Sequence, residues 1–391
     1  IYYIIDMIRS YPMNILYYSW GENSRFDLID ALSSLGHMVN QVYYPTSKYL
    51  THPQLEQALV DSVLSSHSEI IFTFNYLPLV TKAAERADVR YVCWVFDCPH
   101  YSLFSPLLAA DCNYLFLFDS DMVSLAQNLG AKHAYHLPLA VNTHRLDGLS
   151  SEISRFQNEI SFVGSLYEDN HFRRISYLPP ELYGYLDGIL TAQAQIWGDN
   201  LLNELLTPEL VKELAKYIKY DETPLCPIPK KQFFLSMLQT RLTSDERISY
   251  LNALTTNHAV TVYTHSDRNC CPDATYGGAV SYSSEMPLVF ANSKINLNLT
   301  LRSITSGIPL RALDVMSCGG FLLTNYQPEL DRYFTNGSDY VYFESLSDML
   351  EKADYYLSHP KERDDIAREG FEQVTTNFCY EHQLHILFDH L

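Results

Sequence analysis

Basic residues are scarce in this sequence: 27 Lys and Arg stand against 46 Asp and Glu, a formal net charge of −19. Such a surface repels a phosphodiester backbone or an anionic membrane over most of its area, so nucleic acid is not expected as a partner. An anionic ligand must instead be held by a local cluster of cations. No CxxC pair occurs among the eight cysteines, and Cys270 and Cys271 are adjacent, which gives neither zinc-ligand spacing nor a secreted disulfide framework. The pattern reads as reduced thiols in a cytosol. No run approaches the ~18 consecutive apolar residues of a membrane span, and the beginning of the chain lacks a basic region followed by a small-residue cleavage site. A cytoplasmic protein without an integral membrane segment is expected. No strand leads into G-x-G-x-x-G, which argues against a dehydrogenase, and there is no internal repeat or low-complexity tract.

What is present suits two domains with full cores: 391 residues, 47% apolar and 19% charged. The thirty tyrosines read as amphipathic core and cleft lining, with a sugar-stacking surface as the alternative. From Asn14 onward, short apolar strands (NILYYSW, MVNQVYY, EIIFTFNY, VRYVCWVF, NYLFLF, AYHLPL) alternate with amphipathic helices over Arg25 to Ser34, Pro53 to Ser65, Leu79 to Ala87 and Met122 to Leu129. That order implies a parallel sheet covered on both faces, with right-handed crossovers. Ligands of such sheets bind at the carboxyl ends of the strands, which singles out Gly21 and Asn23 after the first strand and Asp97 to His100 after a later one.

Around Gly148 to Gln157 the sequence turns polar and Ser-rich before the strand EISFVGS, so a boundary is placed near residue 152. The first domain then covers 13–151 and the second 152–375, with a helical elaboration over about 173–254 broken at PLCPIP. A closing helix over 376–391 is expected to pack back on the first domain. Ile1 to Pro12 precede a natural-looking start at Met13 and read as an upstream extension without assigned function.

The segment Ala291 to Leu330 carries the most chemistry. It reads as strand, loop, helix and Gly-Gly turn into another strand, with Lys294 in the first strand, Pro309 opening the helix and Gly319-Gly320 ending it. Arg311 and Asp314 share one helical face. A guanidinium can pair with phosphate oxygens while a nearby carboxylate accepts from ribose hydroxyls, which suits a nucleotide diphosphate; an ordinary helical ion pair is the bland alternative. Asp119-Ser120-Asp121 follows an apolar strand and precedes a helix, so it is read as a helix cap rather than a metal motif.

Composition does not choose among a dehydrogenase, a binding protein and a two-domain glycosyltransferase. Longer strings do. YLFLFDSDMVSLAQNLGAKHAYHLPLAVNTHRL resembles the strand, helix and linker passage of GT-B glycosyltransferases, FVGSLYEDNHFRR looks like the first strand and Gly turn of their donor domain, and SHPKERDDIAREGFEQV looks like their penultimate helix. Within that fold, SRFDLIDALSSLGHMV, WVFDCPHYSLFSPL and RALDVMSCGGFLLTNY are similar to the CgeB-like glycosyltransferases with a DUF3880-type N-terminal domain. The resemblance implies an α/β GT-B fold, two Rossmann-like doubly wound domains facing a cleft. It also implies a nucleotide-diphosphate sugar as donor substrate, a UDP-sugar first, with no prosthetic group.

Residues carry over one at a time. Asp314 falls where retaining members place the second of two glutamates eight positions apart, the one that binds ribose. Ser306 falls where the first would be, so the carboxylate beside the sugar ring is missing. Gly164 with Arg173 or Arg174 matches a Gly turn followed by a diphosphate-contacting cation, and Arg311 is a further cation for that role. Asp97 and His100 lie where related enzymes carry a His near the anomeric carbon, and either could take the acceptor's proton. With no evident metal cluster, cations and backbone N–H groups are expected to neutralise the departing diphosphate. The expected function is metal-independent transfer of a hexose to an acceptor hydroxyl on a protein or cell-surface glycan. The alternative is a GT-B-like nucleotide-sugar or glycan-binding protein that has lost catalysis.

Overall fold

The computed structural model describes residues 12–45, 51–147, 149, 156–175, 177–220 and 226–391. The expected boundary near residue 152, most of the expected N-terminal extension and the start of PLCPIP lie outside the described residues. The first domain runs β1 (Asn14–Ser19), α1 (Arg25–Ser34), β2 (Met38–Tyr43), α2 (Pro53–Ser66), β3 (Ile70–Phe74), α3 (Pro78–Ala87), β4 (Arg90–Val95), β5 (Asn113–Leu117), α4 (Ser120–Asn128) and β6 (His133–His136). The second begins with β7 (Asn158–Val163). Its helical elaboration is α5 (Pro180–Ala194), α6 (Leu201–Leu205), α7 (Pro208–Leu214) and α8 (Lys230–Thr255). Then come β8 (Val260–Tyr263), β9 (Thr275–Gly278), α9 (Met286–Asn292), β10 (Ser293–Asn298), α10 (Leu310–Ser317), β11 (Leu322–Asn325), α11 (Pro328–Tyr333), β12 (Val341–Phe343), α12 (Leu346–Ser358), α13 (Pro360–Asn377) and α14 (Tyr380–Phe388).

Local signals account for most of these boundaries. Pro53 and Pro78 occupy the first helical turn, where a missing N–H costs nothing, and the His52 side chain accepts from Leu55 N. β3 is buried along its whole length, as a central parallel strand covered on both faces should be. Pro208 splits the apolar stretch Leu201 to Tyr220 into two short helices.

Among the described residues both sheets are parallel and six-stranded, in the orders β2-β1-β3-β4-β5-β6 and β12-β11-β10-β7-β8-β9. The strand order reverses beside β1 in the first and between β7 and β10 in the second, so each domain has one topological switch point at a carboxyl end. The buried cluster of the first sheet continues without a break into Val289, Phe290, Ile308 and Leu313 of the second domain. The end of the chain returns to the first domain: Phe388 packs on His37 at 4.5 Å, and Tyr380 on Trp94 at 6.1 Å.

Asp119, at the end of β5, joins the domains. One carboxylate oxygen caps α4, accepting from Asp121 N at 2.9 Å and Met122 N at 3.3 Å. The other accepts from the backbone N–H groups of Thr305 and Ser306, both at 3.1 Å, and of Gly307 at 2.9 Å. Asp119-Ser120-Asp121 is therefore a helix cap, as read from sequence, and also an interdomain clasp. Ser306 Oγ donates to Asp119 at 3.0 Å and lies 3.1 Å from Glu329, which in turn pairs with His136 at 2.9 Å. Gly307 is required by close approach: a Cβ there would lie 2.8 Å from both Asp119 Cβ and the Phe118 carbonyl oxygen.

Two outcomes follow. Gly307→Ala should cost about 1–3 kcal/mol in urea unfolding, because the neighbour it meets is backbone; an unchanged midpoint and slope would mean that the domains do not approach there. The Glu329 hydrogen bond raises the His136 pKa above its ordinary 6.5, against burial. That contribution is present below pH 6.5 and is lost as pH rises through the folded-state value. His136→Asn should flatten the decline in stability from pH 6 to pH 8.5, read by thermal unfolding at each pH; an unaltered profile would separate the pair from stability.

Candidate active site

The two switch points face each other across a cavity of about 620 Å³. From the first domain it is lined by the β1–α1 turn, where Gly21 holds a φ of +103° that disfavours other residues, and by Glu22, Asn23, Arg25, Phe26, Asp27 and Arg145. From the second come Gly164 and Ser165 after β7, Tyr263 to His265 after β8, Tyr282 and Met286 around the start of α9, and Arg311 in the first turn of α10.

Charged groups line this cavity in a connected chain. Asp27 accepts from Arg145 at 2.5 Å and from Asn142 Nδ2 at 2.9 Å. The Arg145 guanidinium lies 4.6 Å over the Tyr282 ring, and the Tyr282 hydroxyl donates to Asp314 at 3.1 Å. Asp314 also pairs with Arg311 at 2.9 Å. Burial pushes the Asp314 carboxyl above its ordinary value, against the pull of Arg311 and the Tyr282 hydrogen bond. Burial, helped by Asp314, likewise raises Tyr282, so its hydroxyl stays a donor.

Behind the Gly164 turn, Arg247 of α8 is buried, with no carboxylate at ion-pair distance among the described residues. Its guanidinium instead donates to Ser165 O at 2.6 Å and, through Nε, to Leu299 O at 3.0 Å, tying together the carboxyl ends of β7 and β10. Burial pulls its pKa down to about 10, which still leaves it charged at neutral pH.

Gly21, Asn23, Gly164 and Arg311 line the cavity, and Asp314 stands behind Arg311. Ser306 does not line it, because its hydroxyl and N–H are taken by the clasp. Arg173 and Arg174 are not there either: both are exposed on a short turn after buried Phe172, paired with Asp245 at 3.0 Å and Asp169 at 2.5 Å. Lys294 sits at the amino end of β10 and Gly319 just past α10, so both border a separate hollow at the opposite end of the sheet from the ligand side. Asp97 is exposed after β4, and its loop is held by Asn75, whose Oδ1 accepts from Asp97 N at 3.2 Å and whose Nδ2 donates to Asp97 at 2.8 Å. His100 Nε2 faces the Tyr76 backbone, 3.2 Å from its N and 2.9 Å from its O; burial lowers its pKa, and neither it nor Asp97 lines the cavity.

Sequence reasoning missed Asp27, Arg145 and Arg247. The Arg145 signal was the basic residue in the interdomain string VNTHRL, and Arg247 gave none, being one polar residue in a long helix. Tyr282 was one of thirty tyrosines, with nothing in the sequence to set it apart. Among the described residues, no group of three or more His, Cys, Asp or Glu is placed to hold a metal ion, and no helix is long and apolar enough to cross a membrane.

Comparison with known proteins bears on the fold. Residues 247–389 match a family described as glycosyl transferase-like. Spore protein CgeB of Bacillus subtilis (strain 168) is 19% identical over 294 residues, 75% of this chain and 73% of CgeB. Anabaena HepE, solved in complex with UDP-glucose, superposes with a TM-score of 0.52 at 11% identity, covering 97% of this chain and all of HepE. Sucrose-phosphate synthase from Thermosynechococcus elongatus gives 0.51 at 11%, covering 96% of this chain and 97% of its own. At these identities the structural likeness shows the fold. The second half of the chain is thus similar in sequence to a glycosyl transferase-like family, and the whole chain has the GT-B fold.

Arg247→Met should lower stability by about 2–4 kcal/mol in urea unfolding, since two buried carbonyls lose a charged donor. A loss below about 0.5 kcal/mol would show that the strand ends do not depend on it.

Proposed function

We propose that the chain transfers a hexosyl group from a nucleotide-diphosphate sugar, a UDP-sugar first, to an acceptor hydroxyl on a protein or glycan. The observation that carries this reading is the meeting of both switch points at one cavity, where Arg311 and Arg145 converge near the Gly164-Ser165 turn with Asp314 behind them. In glycosyl transfer the bond between the anomeric carbon and the diphosphate oxygen breaks, and negative charge develops on the leaving group. Preorganised guanidinium groups in a partly enclosed site stabilise that charge without reorganising. Asp314 holds Arg311 in place, and its second oxygen faces the Tyr282 hydroxyl; ribose hydroxyls are the groups it would accept from. HepE, solved with UDP and glucose, has the same fold and supports a UDP-sugar as the first donor to test.

For the acceptor's proton we keep Asp97, an exposed carboxylate at a strand end of the first domain. Its neighbour Cys98 already touches the second domain through Ser303, whose hydroxyl donates to Cys98 O at 2.8 Å. His100, turned onto Tyr76, anchors that loop instead of serving as base. The capture of Ser306 by Asp119 and Glu329 favours the second reading, binding without turnover, because no carboxylate stands free at that point for the sugar.

Isothermal titration with UDP, GDP, dTDP and CMP tests the reading. One nucleotide, expected to be UDP, should bind in EDTA, and Asp314→Ala should weaken it at least tenfold, about 1.4 kcal/mol. Hydrolysis of the matching nucleotide sugar should fall at least 100-fold in Asp97→Asn with nucleotide affinity unchanged, as expected for loss of a general base. Binding with no hydrolysis or transfer would establish the non-catalytic reading, and no binding of any nucleotide would remove both.

A further inference from the structure

Among the described residues three arginines line the cavity, and two are already neutralised: Arg145 by Asp27 at 2.5 Å and Arg311 by Asp314 at 2.9 Å. Arg25, in the first turn of α1, has no carboxylate within ion-pair distance among the described residues. Its guanidinium lies 4.5 Å over the Phe26 ring and 5.4 Å over the Tyr43 ring. Those rings are 60% and 56% exposed, although the largest aromatic side chains of this domain are buried. Tyr43 ends β2, the edge strand beside β1, and its hydroxyl approaches the Gly21 turn. The first domain therefore offers, at the cavity's edge, two open aromatic faces and an unpaired cation between them.

From this juxtaposition we propose that Arg25, Phe26 and Tyr43 form the acceptor subsite, and that it selects an acceptor whose sugar ring carries an anionic group, a carboxylate or a phosphate. The inference rests on the glycosyl-transfer reading and deepens it. Stacked against aromatic rings, a guanidinium is held flat and presents its fork of N–H donors to a carboxylate or phosphate. The rings themselves suit the apolar face of a pyranose. Elsewhere the net charge of −19 repels anions, so an uncompensated Arg in the cleft is the local exception that would admit one. Arg25 belongs to the first domain, whereas the cations assigned to the diphosphate are Arg145, in the interdomain segment, and Arg311, in the second domain. The donor is thus provided for without Arg25.

The test is calorimetric titration of the UDP-saturated full chain with glucuronic acid, glucose 6-phosphate and glucose. At least one of the two anionic sugars should bind ten times more tightly than glucose, and which one does identifies a carboxylate or a phosphate as the group read. Arg25→Gln should remove that difference while UDP affinity stays within twofold, and Phe26→Ala should weaken all three sugars. Equal binding of glucose, or no binding of any sugar, would overturn the proposal. A tenfold loss of UDP affinity in Arg25→Gln would also overturn it by assigning Arg25 to the donor. If the unaltered protein bound no UDP, the glycosyl-transfer reading would fail on its own, and the same sugar titration on ligand-free protein would still decide the anionic preference.

Discussion

The carboxylate of Asp119 ties together the two halves of a fold whose site lies between them, beside the Glu329–His136 pair and a continuous buried cluster. Its oxygens take donors from the start of α4 on one side and from three consecutive backbone N–H groups of the 305–307 loop on the other. A buried carboxylate is expensive unless its hydrogen bonds are complete, and loops with converging N–H groups want an anion. Each satisfies the other across the domain boundary. The rest of the junction follows: glycine at 307 because a side chain would strike Asp119 and Phe118, and a small hydroxyl at 306 because Glu329 and Asp119 both need its contact.

With the junction in place, the carboxyl ends of the two parallel sheets oppose each other, and both switch points open on one cavity. Its chemistry is also arranged in compensated pairs. Arg145 and Arg311 are each bound to an aspartate that is itself shared with another donor, so the cations are fixed in position before any ligand arrives. The guanidinium groups converge locally while the field of the acid-rich protein outside remains negative. Arg247 acts one layer behind, through carbonyl groups alone, to keep the β7 and β10 ends adjacent.

Much of this architecture was legible in the sequence. Strands such as NILYYS and helices such as Arg25–Ser34 follow from apolar periodicity and from Gly and Pro punctuation, and the spacing of Arg311 and Asp314 already placed them on one helical face. What was not legible depends on contacts far apart in the chain. The second role of Asp119 needs partners about 186 residues away, which no local pattern reveals. Lys294 and Gly319 flank the right elements but at their wrong ends, since the ligand side of β10 is set by its direction in the sheet. Arg173 and Arg174 follow a Gly turn in sequence, yet Phe172 is the side chain that buries there, and the two cations are left to surface aspartates. Arg145 and Asp27 meet only because the interdomain segment crosses above α1.

The measurement that bears most directly on this account is the UDP affinity of Asp119→Ala against the unaltered protein, by isothermal titration. Asp119 does not line the cavity, so only a dependence of the site on the clasp can make the substitution matter to UDP. The expected result is at least a tenfold loss of affinity, about 1.4 kcal/mol, in a protein that still folds. Equal affinity in the two proteins, or no affinity for UDP in the unaltered one, would contradict it.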